Sequence, residues 1–323
     1  MTFGASAPWS LGVEEELFLV DAPTLEPAPL FSAVVPEPGP RLKAEVFACL
    51  VETTTPICTD ADEVLAQLVA LRREVVRRAA GHGATILAAG THPTARGAEQ
   101  PLIPEPRYLD LAAKLGGGIS RQLVCGLHVH VGMPDADTCL RAYEGVVPWL
   151  PTLLALSANS PFDEGRESGL RSVRAGRLAQ LPTGGPPPVL RTWADWEAAT
   201  GADYTRRHWD VRPHPLLGTL EVRILEQQTD VRRSAAFASL VQALVVAASD
   251  RDTEPYDRAL YAERRARAAA EPPSPDEVAR LAELVGPADR GLLDAPPEAD
   301  RQLELGLPTA LRDLAERSLQ WPA

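Results

Sequence analysis

Three consecutive acids, Glu14-Glu15-Glu16, stand inside the run Gly12-Val13-Glu14-Glu15-Glu16-Leu17-Phe18-Leu19-Val20. The valine, leucine and phenylalanine around them favour an extended backbone, in which alternate side chains share a face. Glu14 and Glu16 then project together and Glu15 points the other way. Two carboxylates a few ångströms apart repel each other unless a cation lies between them. The pair is therefore a candidate part of a metal-binding pocket. A solvated edge strand would carry the same acids idly, and one short run does not decide between the two.

Three further stretches tip the balance. Glu45-Val46-Phe47-Ala48-Cys49-Leu50-Val51-Glu52-Thr53-Thr54-Thr55 is a strand candidate that ends at Pro56. Glu45 and Glu52 are seven apart, so they share a pocket only if the strand bends or bulges. Cys125-Gly126-Leu127-His128-Val129-His130-Val131-Gly132 puts two imidazoles on one face, and Leu217-Gly218-Thr219-Leu220-Glu221-Val222-Arg223-Ile224-Leu225-Glu226 does the same with Glu221 and Arg223. Acid, imidazole and guanidinium groups at every second residue of four strands fit one sheet with a polar, cation-filled face better than four solvated edges.

The strands at 11–20, 45–55, 124–132 and 217–226 must then lie in one antiparallel or mixed sheet of about six strands, with helices behind it. Val64, Leu65, Leu68, Leu71, Val75 and Val76 recur at helical spacing between Asp60 and Gly81, which can start and stop a helix over 61–81. A strand follows at 84–90, then helices over 105–122 (interrupted by Gly116-Gly117-Gly118), 137–158 and 230–249. Residues 160–188 read as a long irregular loop carrying Arg166, Arg171, Arg174 and Arg177, the only concentrated positive charge facing an acidic protein.

The 323 residues, with 45% hydrophobic and 24% charged content, suit one large domain or two modest ones. A net charge of -12 without a basic stripe argues against nucleic acid. Met1 to Ser10 lacks the basic and apolar regions of a signal peptide. Leu240 to Ser249 is too short to span a membrane and reads as a buried helix. Cys49, Cys58, Cys125 and Cys139 show no CxxC spacing, so reduced thiols in a cytoplasmic protein are expected.

Several ordered motifs resemble one family. These are Gly12 to Asp21, the Glu45–Glu52 segment, Gly90-Thr91-His92-Pro93, Arg107-Tyr108, Gly126 to Gly132, Ser157 to Phe162, Ser172-Val173-Arg174, Trp209 to Pro213 and Gly218 to Arg223. Together they resemble the type 2 glutamate–cysteine ligases, nearest to the bacterial YbdK-like carboxylate–amine ligases, over roughly residues 10 to 250. The resemblance implies an α+β, glutamine-synthetase-like fold, an antiparallel or mixed sheet forming a funnel with helices on its convex side. It implies residues 1–270 as the catalytic part, with 271–323 a divergent region packed on the same domain.

The implied reaction is ATP-dependent amide formation through an acyl phosphate, joining a small-molecule carboxylate to an amine, with Mg²⁺ or Mn²⁺. The resemblance makes Glu14, Glu16, Glu45, Glu52, His128 and Glu221 metal ligands and Arg223 the cation at the moving phosphoryl group. A salt bridge to Glu221 is the other use of Arg223. Substrate or nucleotide contacts fall to His130, Arg107, Tyr108, Arg174, Trp209 and Arg212, while His92 suits a structural hydrogen bond and Glu15 a structural place on the reverse face. A homodimer is compatible; a nucleic acid or membrane partner is not expected. The family's Asn-Arg-Trp-like helix segment is replaced by Tyr261-Ala262-Glu263-Arg264-Arg265-Ala266-Arg267, a departure on the acceptor-amine side. A metal-dependent hydrolase and a non-catalytic nucleotide- or metabolite-binding relative are the alternatives.

Overall fold

The computed structural model describes all residues except 182–183, 202, 205–206, 251–254, 287–289 and 323. Its main sheet joins β1 (Leu11–Asp21), β2 (Leu42–Ala44), β3 (Leu50–Thr54), β4 (Ala84–Leu87), β5 (Leu127–Gly132), β8 (Val211–His214) and β9 (Thr219–Val222). A small hairpin, β6 (Phe162–Asp163) and β7 (Arg166–Glu167), stands apart. The main sheet runs in the order β2-β3-β1-β5-β9-β8, every pairing antiparallel, with β4 joined to the far half of β1.

Register makes the site. Glu16 lies opposite Glu52, which lies opposite Lys43. Glu14 faces His128 across β5, and His130 faces Glu221, which in turn faces Arg212. Because side chains alternate, all of these emerge on one face. Val13, Leu127, Val129, Val131, Leu220 and Val222 emerge on the other and are fully buried.

Helices surround the sheet, and the second, fourth and eighth of them cover that apolar face. The first are α1 (Phe31–Val34), α2 (Ala61–Ala80), α3 (Pro106–Leu115), α4 (Ala136–Val146), α5 (Leu150–Ser157) and α6 (Val173–Leu178). The rest are α7 (Trp193–Thr200), α8 (Val231–Ser249), α9 (Arg258–Ala270), α10 (Pro275–Val285), α11 (Arg290–Leu293), α12 (Glu298–Leu305) and α13 (Leu307–Ser318). The Asp60 carboxylate caps α2 by accepting from Glu63 N–H at 2.9 Å, and Arg77 and Arg78 sit in its last turn. Val64, Leu68, Val75 and Ala79 form its inward stripe. Gly81 stays in right-handed conformation; the left-handed residue that ends the turn is Gly83, at φ +70°.

Helix α8 is, among the described residues, the one helix long and apolar enough to cross a membrane, with mean hydropathy 1.3, and it packs against α2 and α4. On the covered side Glu15 is fully buried and meets Arg72 of α2 at 2.6 and 2.8 Å. Arg72 also donates to the carbonyls of Gln228 and Thr229, 2.8 Å each, tying β1, α2 and the chain leaving β9 together.

Some expected boundaries change. The 45–55 strand is β3 alone; residues 45–49 turn, because Phe47 and Cys49 bury themselves beside Leu87 and Leu123 instead of extending. The 137–158 helix breaks into α4 and α5 around Pro148 and Pro151. Residues 160–188 are not one irregular loop: they hold β6, β7 and α6, the last capped by Ser172, with 182–183 outside the described residues. Their arginines do not form one patch, since Arg171 pairs with Asp300, Arg177 with Asp163, and Arg174 enters the sheet's polar face. Of the motif Trp209 to Pro213, Val211 onward lies in the edge strand β8, which explains how a proline is tolerated there.

Candidate active site

A cavity of about 360 Å³ lies on the polar face, lined by Glu14, Glu16, Glu45, Glu52, His128 and Arg223, and also by Lys43, Arg107, Tyr108, Arg174, Trp209 and Arg212. Ligand atoms of Glu14, His128 and Glu221 lie within 4.8 Å of one another, and so do those of Glu16, Glu45 and Glu52. The bend at residues 45–49 is what carries Glu45 beside Glu52. All six expected acid and imidazole groups thus converge as two adjoining clusters.

Their electrostatics differ. Burial pushes Glu16 up to about 7, against the pull of Arg174 and the Gly126 N–H, which donates to it at 2.5 Å. Burial also lifts Glu45 well above the usual carboxylate range, reinforced by Glu16 and Glu52. Acids that crowd one another this way have a site for extra positive charge. In the other cluster, burial would raise Glu221, but Arg223 and Arg212 override it and hold it well below the ordinary value. Burial likewise opposes the His128 and His130 contacts that keep Glu14 low. His128 itself is driven down to about 3 by burial and by the Arg223 charge, so it is neutral, with a lone pair for a ligand.

The guanidiniums are partly committed. Arg223 makes an ion pair with Glu221, the use set against its phosphoryl role at the sequence level, and Arg212 reaches the same carboxylate at 2.5 Å. Arg174 is buried, donating to the carbonyls of Ile224 and Arg223 at 3.3 and 3.2 Å, while its Nε has no hydrogen bond. It fits there because Gly126 has no side chain: a Cβ would stand 2.3 Å from Arg174 Nη2. Tyr108 donates to the Ala44 carbonyl at 2.5 Å, and the Arg107 guanidinium stacks 4.3 Å from its ring. His130 points its Nδ1 at Thr219 Oγ1, 3.0 Å away.

His92 lies outside the cavity. Its Nδ1 accepts from the Thr94 and Ala95 N–H groups, so Nε2 carries the proton and donates to Leu25 O at 2.8 Å. The Ser157 to Ser160 motif serves Glu226, a buried acid held by Asn159 N–H, Ser160 and Ser172.

Lys43 was missed. Its ammonium lies 2.7 Å from Glu52 and 3.2 Å from Glu14, between the two clusters. Its alternation with Glu45 in Leu42-Lys43-Ala44-Glu45 was the available signal, hidden because the strand was started at Glu45. Asp210, also on the cavity wall, was missed too; it is gripped by Arg265 at 2.7 and 3.0 Å and by Tyr261 at 2.7 Å, in the segment that departs from the expected motif.

Residues 10–274 match the description of glutamate–cysteine ligase family 2. The chain belongs to that family. A Rubrobacter xylanophilus relative provisionally named glutamate–cysteine ligase 2-3 is 40% identical over 279 residues, 82% of this chain and 76% of the relative. A Herpetosiphon aurantiacus relative provisionally named glutamate–cysteine ligase 2 is 34% identical over 81% of this chain and 72% of its own. The glutamate–cysteine ligase of Francisella tularensis, solved with AMP, superposes with TM-score 0.71 at 13% identity over 98% of this chain and 89% of that one. A bifunctional glutathione synthetase from Pasteurella multocida gives TM-score 0.72 at 16% identity, this chain covering about half (51%) of it. At these identities the two structures speak for the fold, which is the α+β fold around a large antiparallel sheet expected above. As a family 2 member the chain is a glutamate–cysteine ligase-like, ATP-dependent carboxylate–amine ligase.

Proposed function

We propose that this ligase activates the side-chain carboxylate of glutamate, the acid in its relatives' names, within the 360 Å³ cavity. One observation carries the reading: two acid clusters and four guanidiniums (Arg107, Arg174, Arg212 and Arg223) meet at one cavity, giving sites for both the cations and the anions of phosphoryl transfer. The donor set fits hard divalent cations, being carboxylate oxygens plus one neutral imidazole, gathered in two clusters within each of which the ligand atoms lie within 4.8 Å of one another. Glu14, His128 and Glu221 would hold one Mg²⁺ or Mn²⁺, and Glu16, Glu45 and Glu52 another. Such cations shield phosphate oxygens and favour their displacement.

The residues of the chain divide the remaining work. The substrate carboxylate oxygen attacks the γ-phosphorus of ATP, and ADP leaves with the bridging electron pair. Arg223, held toward the cavity by Glu221, neutralises the phosphoryl group in transit; Arg212 holds the same carboxylate from the other side, fixing the orientation of Arg223. Arg174 draws anionic oxygen toward Glu16's end of the cavity, and Arg107, Tyr108 and Trp209 form the wall for the nucleotide. The amine nitrogen then bonds to the acyl carbon, phosphate departs with the C–O electrons, and one N–H proton passes to solvent. His130 orients substrate. Residues 1–270 form the catalytic part and 271–323 pack on it, a division supported by the hydrogen bond of Gln302 to Asn159, 2.7 Å, and of the Ala88 N–H to Ser318, 2.8 Å. Four buried free cysteines support a cytoplasmic location.

Purified protein with ATP, Mg²⁺, L-glutamate and a panel of amines should release ADP and phosphate in equal amounts with amide, and Glu52→Gln should abolish this while the fold is kept. Hydrolysis of amides without nucleotide would instead favour a metal-dependent hydrolase.

A further inference from the structure

The α9 segment that departs from the family pattern carries two buried side chains one helical turn apart, Tyr261 and Arg265. That spacing puts both on one face of the helix, and both end on the Asp210 carboxylate. The Tyr261 hydroxyl donates to it at 2.7 Å, and Arg265 grips it with two donors, at 2.7 and 3.0 Å. The third Arg265 nitrogen reaches another element, donating to the Ala175 carbonyl of α6 at 3.1 Å. A guanidinium presents its donors as a rigid fork, so these contacts hold two places at a set separation. Arg265 itself does not line the cavity.

Each of those places adjoins a cation of the cavity. Asp210 immediately precedes β8, and its carbonyl accepts the Arg223 N–H at 2.8 Å. Ala175 follows Arg174 in α6, and the Arg174 guanidinium donates to the carbonyls of Arg223 and Ile224 at 3.2 and 3.3 Å. The links close into a ring: Arg265 to Asp210, Asp210 to Arg223, Arg223 to Arg174, and through Ala175 back to Arg265. Arg174, Asp210 and Arg265 are buried, so water competes little for these bonds. Two guanidiniums do not settle together unaided. Burial disfavours a charged Arg174 most, and Arg223 adds to that, against the pull of Glu16 and Glu226.

We propose that Arg265 is a positioning residue for phosphoryl transfer: it sets the spacing of Arg174 and Arg223, so that both guanidiniums face the same phosphoryl group. The assignment rests on the ligase reading and adds to it a residue outside the cavity. Donors prepared for a developing charge act only when held in place, and a misplacement of about 1 Å costs on the order of 10²-fold in rate. The altered α9 segment then serves the phosphoryl end of the cavity, with Tyr261 supporting Arg265 by holding the same carboxylate.

Lysine at position 265 separates positioning from stability. Arg265→Met leaves the Asp210 carboxylate buried without its cation, so it should lower the urea midpoint and slow single-turnover phosphate release by about 10²-fold. Arg265→Lys keeps a cation beside Asp210 but cannot fork to Ala175 as well. Its urea midpoint should therefore recover most of the loss while its rate stays at least about tenfold down. Calorimetry on the full chain with Mg²⁺ should show inorganic phosphate bound about tenfold more weakly in Arg265→Lys, and Mg-ADP, which lacks the transferred group, within about threefold. A cycle with Arg174→Met tests the route: once the ring is open at Arg174, Arg265→Lys should slow release by under about threefold more. The lysine variant and the cycle also serve if Arg265→Met does not fold. Midpoint and rate recovering together in Arg265→Lys, unchanged phosphate affinity, or fully additive losses in the cycle would each overturn the proposal, as would a chain that neither binds phosphate nor turns over ATP. Phosphate binding that depends on Arg265 without nucleotide turnover under any amine sinks only the ligase, whereas turnover at an unaltered rate in Arg265→Lys sinks only the ring.

Discussion

With its ammonium 2.7 Å from Glu52 and 3.2 Å from Glu14, Lys43 supplies a positive charge where the family chemistry calls for divalent ions. Burial opposes that charge, but Glu52 and Glu14 keep it in place. Removing it leaves both clusters more negative, so Lys43→Met should bind Mn²⁺ about tenfold more tightly by calorimetry. Unchanged affinity would mean that the ammonium and the metal do not share space. Arg223 has two uses in play, the ion pair with Glu221 and the phosphoryl contact, and kinetics separates them. Arg223→Ala should lower single-turnover phosphate release by on the order of 10³-fold with Mg-ATP affinity little changed. Lysine should restore little, lacking the planar fork that can hold Glu221 and phosphate at once. Equal losses in affinity and rate would make Arg223 a ground-state binder.

The strands and helices show what the letters could and could not specify. β1, β5 and β9 were legible because acid, imidazole and guanidinium alternate with valine and leucine, a period that only a half-buried strand satisfies. Glu45's position was not, since Val46, Phe47 and Cys49 look the same in a strand as in a turn that buries them elsewhere. The partner of Glu15 was equally hidden: Arg72 is 57 residues away on another element, and no local pattern encodes that meeting. Their fully buried ion pair locks α2 to β1, directly behind Glu14 and Glu16. Arg72→Leu strands the Glu15 carboxylate, retaining only Gln227 and Ser234 as donors among the described residues, and should cost about 3–5 kcal/mol in urea unfolding. A loss under about 1 kcal/mol would show that the pair merely fills space.

For the whole molecule, acid lability is the accessible property. Burial holds the His92 imidazole down to about 4, from an ordinary value of 6.5. Between those limits the unfolded chain takes a proton that the folded one refuses. The stabilisation is complete above pH 6.5, drains away as pH falls toward 4, and amounts to about 3 kcal/mol. As pH falls across this window the urea midpoint of the protein should lose ground relative to that of His92→Gln, and the NMR signal of the His92 ring should stay neutral at pH 5.5; titration near 6.5 would refute the assignment.

The central place of β1 also sets a timetable. Its upper half pairs with β3 and β4, whose residues follow soon after, but Glu14 and Gly12 pair with His128 and His130. During synthesis at 5–20 residues per second, the stretch between β1 and β5 takes about 5–20 s to emerge. For that interval Leu11 and Val13 have no β5 beside them, and the acids have no site to belong to. A nascent chain paused before β5 should thus be open to proteases and chaperones at its first strand, and should become resistant only after β9 has left the ribosome.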